Sequence, residues 1–172
     1  IPATMLYRSF EPRETAGYAS AEVVEAFYYG MNELDHEIMA DATVDGAGST
    51  EIREVTTMFV VSRMRTAVEM RSSLIDARDW YAEGKPAIEE GRQVYGVADL
   101  RLEALRSPAE GERAFRVTYE KWYPTGMDRD SGGEGILVGF ERVDRVYMRQ
   151  SRGDWAIYQI DRLEDRTMQR RR

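Results

Sequence analysis

Two charged residues share the apolar face of a predicted strand in the C-terminal third of the chain. Alternate residues of a strand point to the same side of a sheet. Asp144 and Arg142 therefore share a side with apolar residues, namely Val138, Phe140, Val146 and Met148. A buried acid beside an arginine can bind a polar ligand or transfer a proton, and it can equally be a structural ion pair. The sequence leaves both interpretations open.

Histidine, cysteine and metal chemistry is narrowly limited in this chain. His36 is the only histidine and there is no cysteine. This composition excludes disulfides, thiolate metal sites, cysteine nucleophiles and any site built from several histidines. The glycine-rich stretch around Asp128 and Asp130 is similar to a calcium loop, but Gly139 stands where the bidentate glutamate belongs. We therefore predict no metal and no cofactor.

An apolar stripe predicts the first helix, which must position any tyrosine that reaches Asp144. Apolar residues recur at steps of three and four from Val24 to Ile38, and Tyr28 is one of them. Ser20 precedes the stripe and is the predicted N-cap, because its hydroxyl can accept a hydrogen bond from the first turn. His36 falls off the stripe and is predicted to face solvent.

A second long helix is predicted after the glycine-rich break at residues 45–48. Between Val55 and Met64 its side chains are apolar nearly all round. We therefore expect this helix to be deeply packed, with Arg63 and Arg65 left for solvent.

The remainder of the chain shows the period of two that is typical of strands. Alternating residues predict a strand with a single dry face over residues 94–103, a strand over 115–123, and a final strand pair over 136–149 and 155–163. Because helices come first and mostly antiparallel strands follow, the predicted fold class is α+β, with a curved sheet that wraps the helices.

The length and composition predict one domain. A chain of 172 residues with 42% hydrophobic content can bury one core. We predict an irregular lead-in at residues 1–18, a domain at 19–166 with an insertion at about 72–91, and a basic tail at 167–172. The insertion could cover a pocket, cover the sheet or contribute to a dimer contact.

The charge balance disfavours several classes of partner. The net charge of −7 repels a phosphate backbone, so we predict no nucleic-acid partner. No run reaches the roughly 18 apolar residues of a membrane-spanning helix, and none is predicted. Since the sequence begins at Ile1, we also expect that an upstream segment was removed, of which a signal or lipid-anchor segment is one candidate, and this favours an extracytoplasmic location over a cytoplasmic one.

Three sequence motifs resemble a known superfamily. Asn-x-Leu-Asp at residues 32–35, Met-Ala-Asp-Ala-Thr-Val at 39–44 and Gly-Ser-Thr-Glu-Ile-Arg at 48–53 are similar to the opening of the nuclear transport factor two-like superfamily. The closest branch is ketosteroid isomerase-like, also called SnoaL-like. The resemblance covers residues 20–66 and continues more loosely over 135–163. Residues 31–37 also resemble predicted lipoproteins of spirochaetes.

The resemblance implies a cystatin-like cone, in which long N-terminal helices pack in the concave face of a curved sheet, and a homodimer. In the isomerases a carboxylate moves the proton, while a tyrosine and a protonated aspartic acid stabilise the enolate. Carried over without gaps, the base falls at Gly46, the tyrosine at Glu25 and the acid at Asp144. Asp45 is one residue from the base position, and Tyr28 is one turn beyond the tyrosine position.

Because two of the three positions do not match, the resemblance favours a non-enzymatic ligand-binding or protein-interaction domain. The alternative is a small-molecule isomerase, dehydratase or hydrolase, with Asp144 as its acid and Asp45 in support. The pocket in either case would accept a small apolar or mixed-polarity ligand. The candidate pocket residues are Tyr28, Tyr119, Trp122, Arg142 and Asp144.

Overall fold

The computed structural model describes residues 12–69, 74–89, 92–124 and 136–171. The helices of this part are α1 (Ser20–Glu33), α2 (His36–Asp41), α3 (Ser49–Glu69) and α4 (Ala77–Ala82). Its strands are β1 (Leu74–Asp76), β2 (Gln93–Leu105), β3 (Glu112–Tyr123), β4 (Ile136–Ser151) and β5 (Asp154–Arg171). The glycine-rich segment with Asp128 and Asp130 lies outside the described residues.

The strands form one mixed, open sheet in the order β1-β2-β3-β4-β5. Strand β1 runs parallel to β2, and the other neighbours are antiparallel. The predicted α+β class with a mostly antiparallel sheet is confirmed. Strand β5 extends to Arg171, into the segment predicted as a basic tail.

The main core lies between α1 and one side of the sheet, which we call the inner face. Val24, Phe27 and Tyr28 of the predicted stripe are fully buried there against Val117 and Val146 of the strands. The start of α1 differs from the prediction. Ala19, and not Ser20, is the N-cap, and the Glu22 carboxylate accepts a hydrogen bond from the Ala19 amide at 2.7 Å.

The chain restarts helically at Asp35, after Leu34 adopts a left-handed φ of 56°. The Asp35 carboxylate caps α2 by accepting hydrogen bonds from the amides of Glu37 and Ile38. Just before this break, the Asn32 side chain hydrogen-bonds both the N–H and the C=O of Val97 at 2.9 Å. The Asn32 side chain thus supplies the hydrogen bonds of the Val97 backbone, at the part of β2 that lies beside α1.

A bulge in β2 changes which face its side chains reach. The register shifts between Ala98 and Arg101. Val94 and Ala98 pack in a second cluster on the opposite side, the outer face, whereas Leu100 and Leu102 pack against the main core. The predicted single dry face for this strand is therefore wrong, because an extra residue in a strand reverses the alternation after it.

The predicted insertion covers the outer face of the sheet. Helix α4 places Trp80 edge-on against Trp122 of β3, with ring centroids 5.1 Å apart. The Trp80 indole N–H donates to the Pro86 carbonyl at 2.9 Å, which fixes the loop after α4. Of the three roles left open by the sequence, the geometry matches the covering of the sheet.

Helix α3 is buried at its start and exposed at its end. Val55 is fully buried and Met58 is 2% exposed. Farther along, the exposed fractions of Val60, Met64 and Val68 are 50%, 66% and 83%. The prediction of a deeply packed helix is therefore wrong for its C-terminal half, which extends away from the main core.

Candidate functional site

Asp144 lies at the centre of a buried polar cluster on the inner face. It is 1% exposed and sits in β4 beside Val117 of β3 and Arg162 of β5. Strand alternation brings it to this face together with Val146 and Met148, which are fully buried. The prediction of an acid on the apolar face of its strand is confirmed.

Three donors from three different elements converge on this carboxylate. The Tyr28 hydroxyl of α1 donates to Asp144 Oδ2 at 2.7 Å, and the Tyr119 hydroxyl of β3 donates to the same oxygen at 2.9 Å. Arg162 of β5 donates from Nε to Oδ1 and forms the ion pair. Since an ionised carboxylate only accepts hydrogen bonds, three donors match the ionised form of Asp144. We call these four residues the Asp144 cluster.

The two tyrosines of the cluster are held neutral. Burial, followed by the nearby Asp144 carboxylate, raises the pKa of the Tyr28 hydroxyl well above its ordinary value. The same two causes raise the pKa of the Tyr119 hydroxyl. The tyrosine rings also contact each other edge-on, with centroids 4.9 Å apart. Both hydroxyls therefore stay protonated at neutral pH and donate to Asp144.

Arg162 connects this cluster to the surface. Its Nη2 donates to the Tyr119 hydroxyl at 3.3 Å and to Glu51 Oε1 of α3 at 3.3 Å. The Arg162 side chain is 28% exposed, whereas the Asp144 side chain is 1% exposed. The guanidinium group therefore joins the buried carboxylate to the first turn of α3.

A second buried charge lies on the same face, at Lys121 of β3. Its ammonium is 3.0 Å from Glu54 Oε1 of α3 and 4.2 Å from the centroid of the Tyr95 ring. The side chain of Lys121 is 2% exposed and that of Glu54 is 24% exposed. Burial lowers the pKa of the Lys121 ammonium, and the Glu54 carboxylate opposes this shift. We call this pair the Lys121–Glu54 centre.

Arg142 belongs to the region between these two groups and does not pair with Asp144. It donates to the Tyr123 hydroxyl at 2.9 Å and to Asp165 Oδ1 at 3.1 Å. The predicted pairing of Asp144 with Arg142 is wrong because the cross-strand neighbour Arg162 takes this place. Tyr123 in turn donates to Glu54 at 3.2 Å, so that the charged groups of the inner face are linked.

The other candidate residues lie elsewhere. Trp122 faces the outer side of the sheet against Trp80. It is three residues after Tyr119, and residues an odd number of positions apart point to opposite sides of a strand. Asp45 occupies an exposed turn with φ of 57° and forms an ion pair with Arg149. Of the predicted pocket residues, the structure brings together Tyr28, Tyr119 and Asp144 and separates Trp122 from them; it also separates the candidate acid Asp45 from Asp144.

Pockets open elsewhere on the described surface and beside Arg162, the most exposed member of the Asp144 cluster. A pocket of about 530 Å³ lies between the segment before α1 and helix α2, and it is lined by His36. Pockets of about 300 Å³ and 200 Å³ lie beside Arg162 at the start of α3 and beside Trp80. Tyr28, Tyr119 and Asp144 line none of these three pockets.

Within residues 12–69, 74–89, 92–124 and 136–171, no three histidine, aspartate or glutamate side chains are grouped so that they could hold a metal ion. Over the same residues, no helix combines the length and the apolar character needed to cross a bilayer.

Arg162, Glu51 and the Lys121–Glu54 centre were not predicted from the sequence. Arg162 could have been found only by locating the bulges of β5, where the register shifts twice along its pairing with β4. Lys121 did carry a signal, since it is two residues from Tyr119 and therefore shares the inner face. Neither a scan against protein-family models nor a search of curated proteins found a match for this chain.

Proposed function

We propose that this chain is a non-enzymatic binding domain with the nuclear transport factor two-like fold. The order of elements supports the fold, since helices precede a mostly antiparallel sheet and α1 lies along its inner face. The three motifs within residues 32–53 point the same way. In this proposal the inner face forms the wall of the cone that the superfamily implies, and α1 fills it.

The state of the Asp144 carboxylate carries the proposal. An acid that stabilises an enolate must present its proton to a substrate. Asp144 instead accepts hydrogen bonds from Tyr28, Tyr119 and Arg162 and is 1% exposed. A buried carboxylate with three donors serves to hold structural elements together, and at 1% exposure it is not accessible to a reacting group.

The enzymatic alternative meets a second difficulty at the tyrosines. An isomerase or dehydratase of this kind would use a tyrosine hydroxyl to donate to the developing negative charge. Tyr28 and Tyr119 both donate to Asp144 Oδ2, at 2.7 Å and 2.9 Å. Their single protons are therefore engaged inside the protein.

A turnover assay tests the proposal. The purified chain would be incubated with enolisable ketones, β-hydroxy acids and simple esters, and product would be followed by NMR. We expect no turnover above that of the reaction mixture without protein. Turnover that is retained in Asp45→Asn and lost in Asp144→Asn would overturn the proposal. Tyr119→Phe serves as a second test variant, because it removes one donor and keeps the Asp144–Arg162 ion pair.

The homodimer that the resemblance implies is part of the proposal as well. Light scattering coupled to size-exclusion chromatography measures the molar mass of the chain directly. We expect twice the 19.8 kDa of a single chain. A mass of one chain over the micromolar range would remove the dimer from the proposal and leave the binding role intact.

A further inference from the structure

One edge of the sheet is formed by a long strand that lacks a neighbour over most of its length. Strand β5 pairs with β4 on one side, and within the described part of the chain the one backbone bridge to its other side comes from Thr43. There the Val44 amide donates to the Ile157 carbonyl at 2.8 Å, and the Ile157 amide donates to the Ala42 carbonyl at 2.9 Å. Beyond Ile157, this edge of β5 faces no other described strand.

The C-terminal part of β5 is regular and exposed. From Glu164 to Arg171 its pairing with β4 proceeds without a register shift. The exposed fraction is 65% for the Glu164 side chain and 81% for the Arg166 side chain. Edge strands commonly avoid pairing with another chain through proline, lysine, bulges or a covering element. Residues 154–172 contain no proline and no lysine, and the regular part of β5 has no bulge, so its backbone is open to a further strand.

The charges of this edge restrict how a second copy of β5 can pair with it. When two identical strands pair antiparallel about a two-fold axis, the residue on the axis lies opposite itself. Residues at equal distances before and after the axis also lie opposite each other. An axis at Glu164, Asp165 or Arg166 therefore opposes two like charges, and an axis at Met168 opposes Arg166 to Arg170. Like charges directly opposite each other destabilise a strand pair.

An axis at Thr167 avoids these repulsions. It opposes Glu164 of each copy to Arg170 of the other, and Asp165 of each copy to Gln169 of the other. Cross-strand pairs of opposite charge stabilise a ladder, and this arrangement contains the Glu164–Arg170 pair twice. Over residues 164–170, no like charges then lie opposite each other. The charge pattern is therefore complementary to itself in this one register.

The contacts of these two side chains within one copy are compatible with the additional pair. The Glu164 carboxylate has an exposed contact of 3.4 Å with Arg116. Arg170 donates from Nη2 to the Lys85 carbonyl at 2.8 Å. A guanidinium group has five N–H donors, so Arg170 can keep this hydrogen bond and still pair with a carboxylate.

We propose that β5 pairs antiparallel with β5 of a second copy of this chain, with Thr167 on the two-fold axis. The two five-stranded sheets then form one continuous sheet across the dimer. Main-chain hydrogen bonds supply the affinity in this mode of strand addition, and the side chains set the register. The inference rests on the homodimer of the proposed function and assigns it to this edge.

Disulfide cross-linking tests the register directly, because the natural chain has no cysteine. Directly opposite residues of antiparallel strands have Cα atoms about 4.5–5.5 Å apart, within the range of roughly 4.4–6.8 Å that a disulfide spans. Thr167→Cys should therefore give a covalent dimer under mild oxidation. Gln169→Cys is the matched control on the same face of the strand, since its two copies would lie about 14 Å apart along the strands. Intact-mass spectrometry measures the dimer in both variants.

Two further variants at the same position test the association without a covalent bond. Thr167→Asp places two carboxylates opposite each other, whereas Thr167→Asn has nearly the same shape and no charge. We expect Thr167→Asp to dimerise roughly fivefold more weakly than Thr167→Asn, because like charges then meet on the axis. Light scattering at several micromolar concentrations measures this difference, and circular dichroism checks that both variants are folded.

Three results would overturn this inference. They are cross-linking of Thr167→Cys no greater than that of Gln169→Cys, equal dimerisation of Thr167→Asp and Thr167→Asn, or a wild-type mass of 19.8 kDa throughout the micromolar range. A wild-type dimer with either of the first two results keeps the homodimer and places its interface elsewhere. None of the three concerns turnover, so the non-enzymatic assignment is tested separately by the Asp144→Asn assay.

Discussion

Asp144 and Asp45 are two carboxylates that each pair with an arginine, and their surroundings differ in every other respect. The Asp144 side chain is 1% exposed and accepts from Tyr28 and Tyr119 in addition to Arg162. The Asp45 side chain is 56% exposed, and its ion pair with Arg149 lies in a surface turn. Both were candidate acids from the sequence, and only one belongs to the protein interior.

The difference distinguishes a charge that stabilises the fold from a charge that is accessible at the surface. Moving a carboxylate out of water costs several kcal/mol, and this cost is offset only when hydrogen bonds and a counter-charge replace the lost solvent. Asp144 gains them from α1, β3 and β5 at once, so the cluster holds these elements in register. At the surface, Asp45 keeps much of its solvent, so its ion pair with Arg149 needs no such network.

The largest expected contrast comes from removing the charge at each position. Asp144→Asn removes the buried counter-ion of Arg162, which keeps only the more exposed Glu51 and Asp165, and we expect a loss of about 3 to 5 kcal/mol in the free energy of unfolding. Asp45→Asn should change it by at most about 1 kcal/mol, because water screens the exposed pair. Urea denaturation measures both. Equal losses in the two variants would contradict the assignment of Asp144 as the structural acid.

The Lys121–Glu54 centre allows the same comparison for a buried cation. Glu54→Gln removes the counter-charge of Lys121, and we expect a loss of about 3 kcal/mol at neutral pH. Glu164→Gln is the control, because Glu164 is 65% exposed in its pair with Arg116 and should contribute less than about 1 kcal/mol.

The pH dependence of the Glu54→Gln variant sharpens this prediction. Burial already lowers the pKa of Lys121 below its ordinary value of 10.5, so the unfolded chain binds this proton more tightly than the folded chain does. The folded state is therefore penalised at low pH, and the penalty shrinks as the pH rises toward 10.5. A destabilisation that grows with pH would contradict a buried, unpaired ammonium as its cause.

The two halves of α3 extend the comparison to apolar residues. Met58 is 2% exposed, and Met58→Ala should cost at least about 2 kcal/mol through lost burial and the cavity left behind. Met64 is 66% exposed, and Met64→Ala should stay within about 0.5 kcal/mol. Thermal denaturation of the two variants measures the difference. A large loss from Met64→Ala would mean that the exposed half of α3 is covered in solution.

The interior was predictable from sequence wherever one period held along an element. The helical stripe identified Tyr28 as buried, and strand alternation placed Asp144 on the apolar face. The same alternation places Trp122 opposite to Tyr119, so its choice as a pocket residue contradicted the pattern. Alternation also put Arg142 on the correct face, but sharing a face does not decide which partner a guanidinium group takes.

Two kinds of feature were not predictable from the pattern. On the inner side of β5, Ile160, Arg162 and Asp165 follow one another at steps of two and three, because the register shifts near Asp144. The alternation of apolar and polar residues in the sequence does not show where a bulge will interrupt the strand. For α3, the apolar residues after Met58 indicated burial, yet nothing in the sequence determines whether another element lies close enough to cover them.

The smallest contrast concerns a single hydroxyl within the Asp144 cluster. Tyr28→Phe removes one of three donors to Asp144 and retains the ring packing, so we expect a loss of about 1.5 kcal/mol at neutral pH. Tyr18→Phe is the control, since Tyr18 is 40% exposed and should change the free energy of unfolding by less than about 0.5 kcal/mol.

The folded protein raises the pKa of Tyr28 above its ordinary value of 10.0, so the contribution of its hydroxyl to stability is complete below pH 10 and is lost as the pH rises farther. The difference in stability between wild type and Tyr28→Phe should therefore shrink above pH 10. If the Tyr28→Phe difference also stayed constant through this range, the hydroxyl would be exchanging with water, and the cluster would be open to solvent and to substrate.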